Sequence, residues 1–185
     1  MKMLGFGQRV GQVIQTAFVV ENLRASIDNW IRDTGAGPWF VMENLLQPGQ
    51  IYRGQASTAN ACLAFGYSGH LQIELIQPKD DNPSVYRETI KSRGYGFHHV
   101  AIASADVDAD IRRYEAKGYE LAFRVPSPTG GALAYLDGGD ASPRFQSGFL
   151  ELLPVTAAFD QLFSSFWQAA QDWDGTDPVR IVGTG

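Results

Sequence analysis

The sequence predicts an α+β protein made of two tandem βαβββ modules followed by one C-terminal helix. Two observations carry this reading. Gly96-Phe97-His98-His99-Val100-Ala101-Ile102-Ala103 reads as an apolar strand running through Ser104-Ala105-Asp106 into a helix, and Val13-Ile14-Gln15-Thr16-Ala17-Phe18-Val19-Val20 followed by Glu21-Asn22-Leu23 does nearly the same near the N-terminus. Overlaid at one constant offset, Gln15 falls on His99, Asn22 on Asp106 and Leu23 on Val107. Each copy is also followed by three strand-length stretches divided by glycine- or proline-bearing turns, so the β-α-β-β-β order comes round twice: an internal duplication rather than a solenoid.

The first module spans residues 10–78. Its opening strand, 13–20, is almost continuously apolar, as a strand covered on both faces would be. Asn22 is placed to cap a helix, Ile27, Trp30 and Ile31 give that helix an apolar stripe, and Gly35 is a natural stop. Strands are expected over 39–46, 56–67 and 70–77, with turns at Pro48-Gly49 and Ser68-Gly69. Residues 79–94 form a helical linker, with Asn82-Pro83 as cap and first-turn proline and the helix running to Arg93.

The second module spans 95–154. Asp106 caps a helix carrying Val107, Ile111 and Tyr114 on one face, and Gly118 stops it. Strands follow over 119–125, 132–136 and 148–153, joined by turns at 126–131 and 137–147. Residues 155–185 supply the last helix, 157–173, and a polar, glycine-rich tail from Asp174 that reads as loose. Phe159, Leu162, Phe163, Phe166, Ala170 and Trp173 recur at helical spacing. So much aromatic surface must be covered, by the protein's own sheet, as a lid over a pocket, or by a partner subunit.

Composition narrows the function classes. Hydrophobic residues at 44% give ample material for a core, which excludes a largely disordered chain. Fifteen basic against twenty acidic residues, a net charge of −5 with no basic run, argues against nucleic acid or an anionic membrane as partner. The apolar stretches are strand-length and no signal-like segment opens the chain, so the expected location is the cytoplasm. Cys62 is the only cysteine, which excludes an internal disulfide and reads as a small buried strand residue.

Strand periodicity then gathers a candidate site. Val13, Gln15, Ala17 and Val19 share one face; so do Gln72, Glu74 and Ile76, then Phe97, His99 and Ala101, and finally Phe149, Glu151 and Leu153. The polar positions recur between modules, Gln15 with His99 and Glu74 with Glu151. A buried carboxylate without a partner costs several kcal/mol and tends to take up a proton; two of them beside an imidazole and an amide make sense if a divalent cation neutralises them. This oxygen-rich set with one nitrogen suits zinc, nickel, cobalt, manganese or iron. The pattern alone leaves equally open that each residue is a solvated strand-end or hydrogen-bonded polar group.

The repeated modules, together with Gly96-Phe97-His98-His99-Val100-Ala101, Gln72-Ile73-Glu74-Leu75-Ile76 and Phe149-Leu150-Glu151-Leu152, resemble the vicinal oxygen chelate superfamily over about residues 10–154. Its members include glyoxalase I, methylmalonyl-CoA epimerase, extradiol dioxygenases and the bleomycin and fosfomycin resistance proteins. The resemblance implies a cup-shaped, barrel-like mixed sheet around a divalent metal ion held by Gln15, Glu74, His99 and Glu151, with His98 facing the other side. It implies a metal-dependent isomerase, epimerase or lyase acting beside a carbonyl of a small-molecule substrate. Glu151 is the favoured base, with Glu74 as the alternative, and the protein is expected to be a homodimer. Trp39, Arg53, Tyr67 and Tyr135 are the candidate pocket residues. The epimerase-like branch more usually carries histidine at the Gln15 position, which leaves the substrate open. A single available histidine disfavours iron-dependent dioxygenase chemistry. The rival readings are a non-catalytic ligand-binding or drug-sequestering protein of the same fold, a lyase or isomerase for an aromatic, steroid or polyketide intermediate, and thiol transfer of the fosfomycin-resistance kind.

Overall fold

The computed structural model describes residues 2–139 and 148–183; most of the turn expected over 137–147 lies outside the described residues. The element order is β1 (Val13–Val19), α1 (Leu23–Thr34), β2 (Trp39–Met42), β3 (Gln50–Tyr52), β4 (Gln55–Ser57), β5 (Ala61–Ser68), β6 (Leu71–Pro78), α2 (Val85–Arg93), β7 (Gly96–Ser104), α3 (Val107–Glu115), β8 (Glu120–Pro126), β9 (Ala132–Asp137), β10 (Phe149–Pro154), α4 (Ala157–Gln171) and β11 (Val179–Ile181). All the strands join one curved, unclosed mixed sheet in the order β11-β2-β5-β6-β1-β7-β10-β9-β8-β3-β4. The module openings meet at its centre: β1 runs antiparallel to β7, and each pairs in parallel with the last strand of its own module, β6 or β10. The four strands bearing Glu74, Gln15, His99 and Glu151 are therefore consecutive neighbours.

Alternation sorts side chains between two apolar layers. On the outer face α1 places Leu23 and Ile27 over Trp39, Val41, Cys62, Ala64, Ile73 and Leu75. In the same way α3 covers Ala134, Leu136, Leu150 and Leu152 with Val107 and Ile111. Both helices begin as expected, with Asn22 Oδ1 accepting from Ala25 N–H and Asp106 Oδ1 from Ala109 N–H, each at 2.9 Å. The concave face is filled from the ends of the chain. Phe159, Phe163 and Phe166 of α4 and Leu4 and Phe6 of the N-terminal segment pack on Phe65, Tyr67, Ile76, Ala101 and Leu153. Of the three coverings open to the last helix, packing on its own sheet is observed, and the same helix also covers a cavity.

Several boundaries differ from the expectations. The strand expected over 39–46 ends at Met42, and Asn44 follows in the left-handed region (φ 53°). The strand expected over 56–67 is two strands, because Ser57 turns the chain: its hydroxyl donates to Pro83 O and accepts from Ala59 N–H. The first of these, β4, closes a hairpin with β3, and β3 crosses to pair with β8 of the second module. Ser84 caps α2, since Asn82 is turned toward Thr58. The tail is not loose where it is described: Val179–Ile181 adds a parallel strand to β2, with Trp39 N–H donating to Pro178 O and Val182 N–H to Val41 O, both 2.8 Å.

Trp39 is wholly buried beneath α1 with Nε1–H donating to Ala36 O at 2.8 Å, and Gly66 makes room for its ring. A methyl group at Gly66 would stand 2.9 Å from Trp39 Cδ2. Gly66→Ala is expected to lower stability by about 1–3 kcal/mol through overpacking, read as an earlier urea midpoint at unchanged slope.

Candidate metal centre

A bulge decides what β7 presents to the concave face. Ala17 pairs with His99 but Phe18 pairs with Phe97, leaving His98 as an extra residue in the ladder. An inserted residue breaks strict alternation and re-aims the side chains beside it. Phe97 consequently packs on Phe18, with ring centroids 6.2 Å apart. His98 does not face away, as alternation implied. It stands beside His99 and contacts the rings of Tyr86, Tyr135 and Phe149 at 5.3, 5.7 and 5.3 Å.

Four buried side chains converge here. His99 Nε2 lies 3.0 Å from Gln15 Oε1, 3.0 Å from Glu151 Oε2 and 3.4 Å from Glu74 Oε2. One ligand atom from each of Glu74, His99 and Glu151 falls within 4.8 Å of the others. The amide of Gln15 is oriented by a chain of hydrogen bonds. Gln15 Nε2 donates to Gln72 Oε1 (2.7 Å), Gln72 Nε2 to the Tyr67 hydroxyl (3.0 Å), and that hydroxyl to Phe163 O in α4 (3.2 Å). With its nitrogen committed, Gln15 turns its oxygen toward His99. Behind the imidazole, His98 Nδ1 and His99 Nδ1 are 2.8 Å apart. If Nδ1–H of His99 donates there, Nε2 is left with its lone pair facing the oxygens.

The donor set fits a divalent cation. Three acceptor oxygens face one imidazole nitrogen, which carries at most one proton, and Glu151 Oε2 has no hydrogen-bond partner although it is buried. The cluster is rich in acceptors and poor in positive charge, and a cation supplies what it lacks. Burial, reinforced by the neighbouring Glu151 charge, holds the Glu74 carboxyl well above the usual carboxylate range. The His98 imidazole is pushed well down, by burial first and by His99 second, and stays neutral. Burial raises the Tyr135, Tyr86 and Tyr67 phenols, so each remains a proton-bearing hydroxyl.

The cluster opens on a cavity between the sheet and α4. Gln15, Glu74 and Glu151 line it with Gln50, Tyr86, Tyr135, Phe65, Phe123, Leu133 and the α4 residues Phe159, Leu162 and Phe163. Of the four candidate pocket residues, Tyr135 lines this cavity. Tyr67 lies behind its wall, bonded to Gln72. Trp39 is on the opposite face of the sheet, under α1. Arg53 sits in the β3–β4 turn, bound to Glu88 and Asp137 at 2.6 Å each, and does not line the cavity. Gln72, Tyr86 and Gln50 were not anticipated. Gln72 shares a strand face with Glu74, a visible signal that two polar groups occur on that row; Tyr86 and Gln50 reach the cavity from α2 and the hairpin, which no strand pattern reports.

Comparison with known proteins agrees with this architecture. A family model for the Glyoxalase/Bleomycin resistance protein/Dioxygenase superfamily matches residues 14–135. No curated protein sequence matches. Among solved structures, methylmalonyl-CoA epimerase from Mycobacterium tuberculosis is 20% identical with a TM-score of 0.52, covering 80% of this chain and 90% of that one. A variant of the Streptomyces coelicolor epimerase bound to 2-nitronate-propionyl-CoA is 18% identical with a TM-score of 0.57, covering 80% and 97%. A variant of 4-hydroxymandelate synthase from Streptomyces coelicolor is 16% identical with a TM-score of 0.56, covering 80% and 39%. At these identities the likeness is one of fold.

Two predictions follow from the electrostatics and the histidine pair. A carboxyl whose folded pKa is raised stabilises the fold below its unfolded pKa and loses that contribution as pH climbs through the folded value. Chelator-treated protein should therefore lose thermal stability as pH rises from about 4.5 toward alkaline values. Glu74→Gln should flatten this slope and raise Tm at pH 8 by a few degrees, about 2–4 °C per kcal/mol at this size; a slope unchanged by the substitution would sink the assignment. For the histidines, nitrogen-15 spectra should show His99 as the Nε2–H tautomer in chelator-treated protein, where Nε2 faces only oxygens, switching to Nδ1–H when a divalent metal is added. His98→Phe should weaken metal binding by removing the partner of Nδ1.

Proposed function

The chain belongs to the Glyoxalase/Bleomycin resistance protein/Dioxygenase superfamily, and from that membership and its buried cluster we propose a metal-dependent enzyme that moves a proton on the carbon beside a carbonyl. The reaction class is isomerisation, epimerisation or glyoxalase-type lyase chemistry on a small organic substrate. The observation that carries the reading is the convergence of Gln15, Glu74 and Glu151 oxygens on His99 Nε2 at 3.0–3.4 Å. These four residues would hold the ion. A bound divalent cation supplies Lewis-acid stabilisation of negative charge developing on a substrate oxygen. No single metal is favoured among zinc, nickel, cobalt, manganese and iron.

The chain's own groups divide the remaining work. Glu151 takes the proton: the residue lines the cavity, and its Oε2 is buried without a hydrogen-bond partner. Glu74, whose carboxyl resists ionisation, is suited to hold or return a proton at its own oxygen. His98 holds the His99 ring in place. Tyr86 and Tyr135, their hydroxyls 3.4 Å apart, present phenols to the cavity. The apolar wall of Phe65, Phe123, Leu133, Phe159 and Phe163 excludes water and strengthens each of these interactions. A homodimer in the cytoplasm is proposed on family grounds; no helix of the described residues is long and apolar enough to cross a membrane.

Purified protein should carry about one divalent metal per chain by elemental analysis, and His99→Ala should remove it. In D2O, proton NMR should show exchange of the proton beside the thioester carbonyl of methylmalonyl-CoA or of a related acyl or hydroxy-carbonyl compound. Glu151→Gln should slow that exchange by about 10²–10⁴-fold with the metal retained. Exchange that is indifferent to Glu151→Gln would remove Glu151 as the base; protein that neither binds metal nor catalyses exchange would falsify the enzyme reading and favour the ligand-sequestering alternative.

A further inference from the structure

Gln50 is the polar group of the cavity wall that the proton-transfer reading leaves unused. It sits on β3, only 3% exposed, and lines the cavity with the site carboxylates. Its Nε2 donates to Ala59 O at 2.9 Å. That bond fixes which end of the amide is oxygen, because a carbonyl accepts only from the nitrogen. Gln50 Oε1 is then left buried with no hydrogen-bond partner. The neighbouring hydroxyls of the wall each have a partner: Ser127 and Thr129 bond each other at 2.8 Å, and Tyr86 and Tyr135 face each other at 3.4 Å. Glu151 Oε2, the other unsatisfied acceptor of the wall, belongs to the metal-binding cluster. The cavity wall also carries the apolar side chains of Phe123, Val125 and Leu133.

We propose that Gln50 Oε1 is a substrate-recognition acceptor, and that the substrate carries a hydroxyl or amine donor in addition to the oxygens it presents to the cluster. This rests on the metal-centre reading above and adds a substrate class to it: a polar-substituted organic chelate, with a hydrocarbon or aromatic body against the apolar wall. A buried acceptor discriminates strongly, since a ligand without the donor leaves it desolvated and unpaired. The position of the group also gives it a structural rationale. The β3–β4 hairpin belongs to the first module in sequence but pairs with β8 of the second, so Gln50 is delivered to the cavity by an element outside the repeated β-α-β-β-β pattern.

The test uses metal-loaded protein and benzohydroxamate, which offers two vicinal oxygens to a metal, against its three ring-hydroxylated and three ring-amino isomers. Isothermal titration calorimetry should show benzohydroxamate binding, and at least one hydroxy or amino isomer binding about tenfold tighter or more. In Gln50→Met that gain should vanish while affinity for unsubstituted benzohydroxamate stays within about threefold. If benzohydroxamate binds and no isomer gains, or the gain survives in Gln50→Met, the inference is overturned and the metal centre stands. If the protein cannot be loaded with metal, the metal-centre reading falls and takes this inference with it; if it loads and neither benzohydroxamate nor any isomer binds, this inference alone is overturned. Where Gln50→Met does not fold, Gln50→Leu takes its place as the variant in which the gain must vanish, and absence of any gain among the isomers on the wild-type chain overturns the inference without a variant.

Discussion

An excess of buried acceptor oxygens at the centre of the sheet is the constraint around which this molecule is arranged. Gln15, Glu74 and Glu151 each turn an oxygen toward one imidazole nitrogen, and none of the four residues is more than 4% exposed. Such a group is unfavourable without positive charge, because desolvation penalises each carboxylate and the two repel each other. The raised Glu74 carboxyl is the direct consequence. Nothing in the strands requires polar residues there; the neighbouring positions on the same face are Ala17, Ile76, Ala101 and Leu153, which pack as an ordinary core. The cluster is a local departure from good folding, concentrated where chemistry would use it.

The rest of the concave face secures that arrangement. The hydrogen bonds from Gln15 through Gln72 and Tyr67 end on the backbone carbonyl of Phe163, so the orientation of a cluster amide depends on the docking of α4. That docking is aromatic: Phe163 meets Phe65 at 5.3 Å, and Phe166 stacks on Phe40 at 4.0 Å. Thr156 anchors the start of the helix, accepting from Phe159 N–H while donating to Thr129 O. The N-terminal segment adds Gly5 N–H to Asp160 Oδ1 at 2.8 Å. The helix is both core and roof, so loosening it would disturb the cavity wall and the Gln15 amide together.

Much of this was legible in the sequence because the duplication is recorded at a constant offset. Matching Gln15 with His99 and Glu74 with Glu151 required only two strand-length alignments, and the fold then makes those four strands adjacent. What failed was the assumption of unbroken alternation. The bulge at His98 reverses the facing of Phe97 and His98, and bulges arise from the twist and pairing of two strands, which a single strand's residues do not display. Trp39 was misplaced for a related reason: Trp39-Phe40-Val41-Met42 is apolar at every position, so the pattern cannot say which parity faces the cavity. The tail strand and the β3 crossing depend on partners far along the chain, Trp39 for Val179 and Phe123 for Tyr52. Short segments of three residues carry too little periodicity to announce such pairings.

The division between repeated and unrepeated elements also separates chemistry from selectivity. Every member of the cluster lies on the first or last strand of a module, so the duplication alone assembles it. The cavity wall combines side chains of the repeated strands, such as Phe65, Phe123, Leu133 and Tyr135, with parts that have no counterpart in the other module. The hairpin contributes Gln50, and the segment after it Ala59; the linker helix contributes Tyr86, and the last helix Phe159, Leu162 and Phe163. Such a construction lets the walls change without disturbing the strands that hold the cluster, as one fold hosting different functions requires. For this chain it follows that the repeated strands hold the cluster, whereas the substrate is to be read from the hairpin and helices that line the cavity beside it.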